Sequence, residues 1–74
     1  MKELTLYSRI ECPLCEYAES MLLTLGISYR TIDIDEKTEL MQQYHTRIPV
    51  IANAVQELGW PFDEQQIQTL AGIA

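Results

Sequence analysis

The stretch Ser8-Arg9-Ile10-Glu11-Cys12-Pro13-Leu14-Cys15-Glu16 decides the fold, because it joins a predicted strand to a predicted helix. The residues before it, Leu4-Thr5-Leu6-Tyr7, are typical of a strand, and residues 13–25 are typical of an amphipathic helix. The chain has two cysteines, and their C-x-x-C spacing lets two thiols at a helix start approach bonding distance. A C-x-x-C between a strand and a helix predicts a redox motif.

The predicted start of this helix favours a reactive thiolate at Cys12. The sequence places Cys12 at the N-cap and Pro13 at the first helical position, where a missing N–H and a fixed φ cost little. Unpaired N–H groups and the positive end of the helix dipole stabilise a thiolate, and such sites lower a cysteine pKa from about 8.5 to as little as ~3.5. Glu11 and Glu16 oppose this effect, because nearby carboxylates disfavour another anion. We therefore expect a thiolate that is activated, but less strongly than beside lysines.

Length and composition indicate one small globular domain, residues 1–74. The hydrophobic share of 47% is that of a globular chain, and 74 residues leave no room for a second core. Two cysteines are too few for a secreted disulfide scaffold, which favours a functional pair. The net charge of −6 argues against nucleic acid and anionic membranes as partners.

The sequence shows neither a membrane span nor a secretory signal. No apolar run approaches the roughly 20 residues of a span. After Met1-Lys2-Glu3 the chain enters an alternating strand, without the apolar segment of a signal peptide. We therefore expect a cytoplasmic protein, and we expect it to be a monomer.

The rest of the chain predicts three further strands and two further helices. Gly26 ends the first helix as a C′ residue, and Asp63 with Gln66 forms a capping box before the last helix. The predicted elements are strands at 2–7, 28–33, 47–52 and 55–58 and helices at 13–25 and 36–44, with Asp35 capping the second helix and Ile67, Leu70 and Ala71 lining the last. The other positions expected to face inward are Leu14, Ala18, Met21, Leu22, Leu25, Leu40, Met41 and Tyr44.

This order, β-α-β-α-β-β-α, predicts an α/β fold with a four-stranded mixed sheet covered by helices on both faces. Helical crossovers predict that the first two connections are parallel and right-handed. The short connection around Asn53-Ala54 implies an antiparallel hairpin instead. The C-x-x-C then lies at the carboxyl end of the first strand, where open α/β sheets place their sites.

Three motifs together resemble those of a glutaredoxin. They are Leu6-Tyr7-Ser8, then Cys12-Pro13-Leu14-Cys15, and later Ile48-Pro49-Val50. The short length and the segment Glu57-Leu58-Gly59-Trp60-Pro61-Phe62-Asp63-Glu64 are similar to those of short, mostly bacterial glutaredoxin-like proteins. The resemblance covers essentially the whole chain and implies the thioredoxin fold.

The resemblance also implies roles for individual residues. Cys12 would be the exposed nucleophile and Cys15 the more buried resolving thiol. Pro49 would be a cis-proline facing the disulfide, with Ile48 offering backbone groups to an extended thiol substrate. Tyr7 would lie beside the site. The candidate substrate-binding residues are therefore Tyr7, Pro13, Leu14, Ile48 and Pro49.

The glutathione pocket of glutaredoxins is not matched. Those proteins usually carry a basic residue near the C-x-x-C and a Gly-Gly followed by a polar pair before the last helix. Here only Gly59 remains of the glycine pair, and Trp60-Pro61 follows it. Glutathione carries two carboxylates, so an acidic border should weaken its binding; that border is Glu11, Glu16, Asp63 and Glu64. We expect no tightly bound cofactor, with glutathione at most as a co-substrate.

Several residues also have simpler structural interpretations. Pro49 could be an ordinary edge-strand proline. Arg47 could be a solvated charge, although it is the best-placed cation to offset the two glutamates that flank the cysteines. His45 at a helix end should satisfy the helix dipole. Trp60 should cover an edge of the core, and Tyr29 and Tyr44 should be packing residues.

The sequence therefore predicts a thiol-disulfide oxidoreductase that acts on a disulfide-containing protein or a small thiol substrate and is recycled by an unidentified reductase. The alternative is a non-catalytic binding module of the same fold, either a metal or iron–sulfur carrier or a protein-docking domain. Zinc needs about four ligands, and His45 is the only other strong candidate, so we predict no metal site within one chain. A third hypothesis keeps the fold with diminished redox activity, which a Cys12 pKa near 8.5 would indicate.

Overall fold

The computed structural model describes residues 3–73, and the predicted order of strands and helices is confirmed there. Lys2, where the sequence predicts the first strand to begin, lies outside the described residues. In chain order the elements are β1 (Leu4–Ser8), α1 (Pro13–Leu25), β2 (Tyr29–Asp33), a 3-10 helix (Ile34–Glu36), α2 (Thr38–Tyr44), β3 (Val50–Ala52), β4 (Glu57–Gly59) and α3 (Glu64–Ile73).

The strands form one mixed sheet in the order β2-β1-β3-β4. β1 runs parallel to β2, with Leu6 opposite Thr31. β1 runs antiparallel to β3, with Leu6 opposite Ile51, and β3 pairs antiparallel with β4. β1 is therefore a central strand, and the loop that carries the cysteines leaves its carboxyl end. The predicted four-stranded mixed sheet is confirmed.

The predicted parallel connection from the second to the third strand is wrong. The register places Val50, the first residue of β3, opposite Tyr7, near the end of β1 where β2 also ends. The seven residues of α2 span only ~10 Å at 1.5 Å per residue, so they do not carry the chain back to the far end of the sheet. The chain enters β3 at the end where it left β2, which makes β3 antiparallel.

Helices cover both faces of the sheet, with α1 and α3 on one face and α2 on the other. Successive strand residues point to opposite sides, so a central strand supplies apolar side chains to both faces. Leu6 and Tyr7 of β1 accordingly belong to different hydrophobic clusters. The larger cluster joins β1, β3, α1 and α3 through Leu4, Leu6, Ala18, Leu22, Ile51, Phe62, Ile67 and Leu70. The smaller cluster lies under α2 and contains Ile34, Tyr44 and Val50, with Tyr7, Leu40 and Ile48 packed against it.

The bounds of α1 match the prediction at both ends. Cys12 is the N-cap, with extended backbone, and Pro13 follows as the first helical residue. Gly26 has φ 69° and donates its N–H back to the last turn of α1, as expected of a C′ glycine.

Within residues 3–73, no helix has the length and apolar character needed to span a bilayer.

The second helix differs from its prediction. Asp33, not Asp35, caps the first turn: its side chain accepts the Asp35 N–H at 2.9 Å and starts the 3-10 helix. α2 begins only at Thr38 and has no side-chain cap. Asp35 lies within the 3-10 helix, three residues before α2 begins, and its carboxylate accepts hydrogen bonds from Arg9 instead of capping α2.

The third and fourth strands are shorter than predicted. The N–H groups of Arg47 and Ile48 both donate to the Tyr44 carbonyl. These two residues therefore form a turn after α2 rather than the start of β3. The N–H groups of Val55 and Gln56 donate to the Asn53 side chain at 2.8 and 2.7 Å, which extends the turn. Pairing is therefore confined to three residues in each strand.

Two residues expected to face inward do not. Leu14 is 47% exposed and Met41 is 38% exposed. Leu14 lies in the first turn of α1, between the two cysteines. The capping box before α3 is confirmed, because Asp63 and Gln66 exchange side-chain to backbone hydrogen bonds at 2.8 and 2.9 Å.

Candidate functional site

Cys12 and Cys15 form a disulfide at the start of α1. Their Cα atoms are 5.2 Å apart, within the range of ordinary disulfides. Cys12 is partly exposed, whereas Cys15 is only 3% exposed. The pair therefore offers one sulfur to solvent and buries the other.

The backbone of the first turn of α1 holds Cys12 through two hydrogen bonds. The N–H of Cys15 donates to Cys12 Sγ at 3.1 Å, and the N–H of Glu16 donates to the Cys12 carbonyl at 3.0 Å. The sulfur thus occupies the place usually taken by a capping oxygen. Because an anion accepts such a hydrogen bond more strongly than a neutral group, the same N–H favours a thiolate at Cys12 once the disulfide is reduced.

Exposed apolar and acidic residues lie next to the two cysteines in the chain. Ile10 is 75% exposed, Pro13 and Leu14 are exposed, and Glu11 and Glu16 are exposed carboxylates. Glu11 also adopts a left-handed backbone, with φ 60°. A substrate that reaches Cys12 therefore meets both apolar surface and negative charge.

The segment before β3 reaches the same end of the sheet as the cysteine loop. The Ile48–Pro49 peptide bond is cis, as the resemblance implied, and Pro49 is buried. Val50 pairs with Tyr7, so Pro49 follows the same register beside the end of β1. The Ile48 N–H donates to the Tyr44 carbonyl, and the Trp60 N–H donates to the Pro49 carbonyl.

Tyr7 belongs to a network on the α2 face of the sheet. Its ring stacks on that of Tyr44, with centroids 4.4 Å apart and planes 17° from parallel. The Tyr44 hydroxyl donates to Glu57, and Arg47 donates to the same carboxylate at 2.9 Å while its guanidinium lies over the Tyr44 ring. The hydrogen bond from Tyr44 and the charge of Arg47 lower the pKa of Glu57, and burial together with the Glu57 carboxylate raises the pKa of Tyr44.

Arg9 and Arg47 each pair with a carboxylate outside the cysteine motif. Arg47, interpreted from the sequence as a solvated charge and as the best-placed cation to offset the glutamates beside the cysteines, pairs with Glu57. Arg9 pairs with Asp35 at 2.8 Å, and this hydrogen bond lowers the pKa of Asp35. Within residues 3–73 these are the two ion pairs of the structure. The carboxylates that flank Cys12 and Cys15 thus have no ion-pair partner in the described part of the chain.

No metal site is evident in the described part of the chain. Across residues 3–73, no three or more His, Cys, Asp or Glu side chains are grouped so that they could hold an ion. His45, the other candidate ligand, places Nδ1 3.1 Å from the Met41 carbonyl at the end of α2.

Residues 3–70 match the glutaredoxin-like domain (DUF836), a match that covers most of the chain. The chain belongs to this family. Among curated proteins, none matches the sequence significantly.

Solved structures show the same fold. Structural genomics target protein XcR50 from X. campestris is 33% identical, with a TM-score of 0.84 over 96% of this chain and 97% of that chain. A glutaredoxin from Brucella melitensis is 26% identical, with a TM-score of 0.69 over 93% and 80% of the two chains. A glutaredoxin from Archaeoglobus fulgidus, 21% identical, has a TM-score of 0.71 over 95% and 86%. The expected glutaredoxin-like thioredoxin fold is confirmed.

This glutaredoxin-like domain has an aromatic cluster in the segment where glutaredoxins usually carry a glycine pair. The Trp60 ring meets the Phe62 ring edge to face at 5.1 Å and the Tyr17 ring at 5.6 Å. Trp60 is half-buried against the larger core cluster, as predicted. The contact with Tyr17 was not predicted, because no local pattern links α1 to a residue so far along the chain.

Proposed function

We propose that this glutaredoxin-like protein is a thiol-disulfide oxidoreductase, with Cys12 as nucleophile and Cys15 as resolving thiol. The observation that carries the proposal is the Cys12–Cys15 disulfide at the N-terminus of α1, with one sulfur partly exposed and the other buried. Only the exposed sulfur is open to attack on a second molecule, and it is also the one that accepts a backbone N–H.

The reaction proceeds in two exchanges, both of thiolate with disulfide. The Cys12 thiolate attacks one sulfur of the substrate disulfide, forms a mixed disulfide and releases the first substrate thiolate. The Cys15 thiolate then attacks Cys12 Sγ, forms the intramolecular disulfide and releases the second thiolate. The substrate gains two electrons and two protons, the protein loses them, and a separate thiol reductant returns Cys12 and Cys15 to the dithiol.

The substrate would bind against the residues that border the exposed sulfur. Pro13 and Leu14 lie between the cysteines, Ile48 and Pro49 precede β3 at the same end of the sheet, and Tyr7 lies near the end of β1. The Ile48 carbonyl would accept an N–H from an extended substrate, and Leu14 would contact an apolar side chain.

The experiment is equilibration of the full chain in glutathione redox buffers, followed by acid quenching and thiol counting by mass. We expect a single transition between dithiol and disulfide at a potential between roughly −270 and −200 mV, the range of thioredoxins and glutaredoxins. Thiols that stay reduced throughout, or that oxidise only over days, would overturn the proposal.

Two variants assign the roles of the cysteines. Cys12→Ser should abolish exchange with a disulfide substrate. Cys15→Ser should still attack but should accumulate the mixed disulfide, because the resolving thiol is missing. Circular dichroism of both variants checks that they fold, and full activity in Cys12→Ser would contradict the assignment.

A further inference from the structure

An apolar stripe runs along α1 from the disulfide; it is exposed at Leu14 and Tyr17 and half-buried at Met21, which packs against the larger cluster. Leu14, Tyr17 and Met21 are spaced three and four residues apart, so they share one face of the helix. Leu14 is 47% exposed and Tyr17 is 59% exposed, and Leu14 lies between the two cysteines. The stripe therefore connects the reactive sulfur to the surface between α1 and the start of α3.

A groove of about 470 Å³ opens at the far end of this stripe. We call it the docking groove, and its lining residues are Tyr17, Met21, Phe62, Asp63, Glu64 and Gln65. The Tyr17 ring is exposed, and the Trp60 ring contacts it edge to face. A rigid aromatic side chain offers contact area with little loss of conformational freedom on binding.

The charge of the docking groove is negative. Asp63 and Glu64 line it, and both are exposed. The Asp63 side chain accepts the Gln66 N–H in the cap of α3. Glu64 follows it in the first turn of α3. Arg9 and Arg47 are neutralised by their own ion pairs, and the whole chain carries −6. Nothing in this arrangement favours an anionic ligand such as glutathione.

We propose that the docking groove and the apolar stripe bind a basic, partly apolar segment of a protein whose disulfide is reduced at Cys12. An apolar side chain next to the substrate cysteine lies on Leu14. A Lys or Arg side chain then reaches the docking groove, where Tyr17 offers an aromatic face and Glu64 a carboxylate, the two groups that attract a cation. This inference rests on the proposed oxidoreductase function, and it names the substrate class.

An extended segment that runs along α1 from Cys12 would place its basic residue at a defined spacing. From Cys12 to Met21 the helix rises ~13 Å, and Tyr17 lies about halfway. An extended peptide covers ~10 Å in three residues. The cation therefore lies about three residues from the substrate cysteine.

The test uses two symmetric peptide disulfides that differ only in having Lys or Glu three residues from the cysteine, with Leu adjacent to it. The reduced full-length protein reacts with each at low salt, and each rate is divided by that of the same peptide with dithiothreitol. In this reaction the protein dithiol becomes a disulfide and the peptide disulfide becomes two thiols. We expect the lysine peptide to react about 10-fold faster after this correction, and the difference to shrink at high salt.

Matched variants locate the effect. Glu64→Lys should reduce the preference about fivefold, whereas Glu39→Lys, the same change on exposed α2, should leave it unchanged. Tyr17→Ser should slow the lysine peptide and leave the reaction with a small neutral disulfide unaltered. Equal rates for the two peptides, or faster reaction of glutathione disulfide, would overturn the inference while the oxidoreductase function stands. If no disulfide oxidises the dithiol, both proposals fail.

Discussion

Glu11, next to the reactive cysteine, has a left-handed backbone. This conformation is energetically unfavourable for most residues that have a Cβ atom. Its φ is 60°, which costs most L-residues roughly 1–2 kcal/mol, whereas Asn adopts it more readily. We expect Glu11→Asn to raise the free energy of unfolding by ~0.5–1 kcal/mol, measured by urea denaturation of the oxidised protein.

Glu11→Ala separates the backbone effect from the charge effect. Alanine has a Cβ atom but lacks the short polar side chain with which asparagine stabilises this backbone, so the stability should stay close to that of the wild type. Both variants remove the carboxylate that precedes Cys12, so both should lower the pKa of the Cys12 thiol, followed as thiolate absorbance in the reduced protein. Equal stability of the Asn and Ala variants would contradict the backbone argument, and an unchanged thiol pKa would contradict the charge argument.

Glu57 makes the stability of the protein depend on pH. Its pKa lies below the ordinary value of 4.5, first because Tyr44 donates a hydrogen bond to the carboxylate and also because Arg47 is paired with it. A lowered pKa in the folded state means that the stabilisation is complete above about pH 4.5 and is lost as the pH falls through the folded value. We expect Glu57→Gln to be less stable than the wild type at pH 7 and the difference to shrink below pH 4.5.

Urea denaturation between pH 7 and pH 3 measures this difference. Glu39→Gln, which changes an exposed carboxyl on α2, is the control for the removal of one charge. A gap between wild type and Glu57→Gln that stays constant down to pH 3 would show that the carboxylate form is not what the network stabilises.

At the scale of elements, the sequence predicts best what neighbouring residues determine. Both ends of α1 follow from Pro13 and Gly26, whose backbone preferences act without any distant partner. The Asp35 cap was wrong because a 3-10 helix precedes α2, which begins only at Thr38; the Asp35 carboxylate binds Arg9, 26 residues away. The cysteine pair was found from its spacing alone. The docking groove was not, because it depends on the contact between Tyr17 of α1 and Trp60 beyond β4.

The C-terminal end of α1 provides a test of this local control. An added Cβ atom at Gly26 would meet nothing within 4 Å, so the cost of Gly26→Ala is purely that of the left-handed backbone, φ 69°. We expect the free energy of unfolding to fall by ~1–2 kcal/mol. Thermal denaturation of the oxidised protein should then show a melting temperature several degrees lower.

Gly72→Ala is the matched control for this substitution. Gly72 also has free space around its Cα, but it lies within α3 without a left-handed backbone. Alanine is favoured over glycine inside a helix, so this variant should be as stable as the wild type or up to ~1 kcal/mol more stable. A similar loss of stability in both variants would point to steric crowding rather than to backbone conformation.

At the scale of the whole molecule, two hydrophobic clusters lie on opposite faces of the sheet. If the protein is one cooperative domain, the two clusters unfold together. The larger cluster joins α1 and α3 and includes the side of the docking groove, whereas the smaller one lies under α2. β1 and β3 contribute to both, since adjacent residues of each strand point to opposite faces. Loss of packing on one face should therefore weaken the other, and with it the surface that surrounds Cys12.

The single tryptophan allows this coupling to be measured. Trp60 packs against the larger cluster, whereas Ile34, fully buried, belongs to the smaller one. Ile34→Val removes one methylene and should cost ~0.5–1.5 kcal/mol. If residues 3–73 unfold as one unit, the urea midpoint followed by Trp60 fluorescence should fall by the same amount as the midpoint followed by far-ultraviolet circular dichroism.

Ile67→Val, on the same face as Trp60, is the control, because it should move both signals whether or not the faces are coupled. A fluorescence midpoint that stays at its wild-type value in Ile34→Val, while the dichroism midpoint falls, would show that the two faces unfold separately. In that case the segment around Tyr7 and Ile48 would unfold while α1, which carries the cysteines, stayed folded. The proposed substrate-binding residues on that face would then unfold at a lower urea concentration than the helix that holds the disulfide.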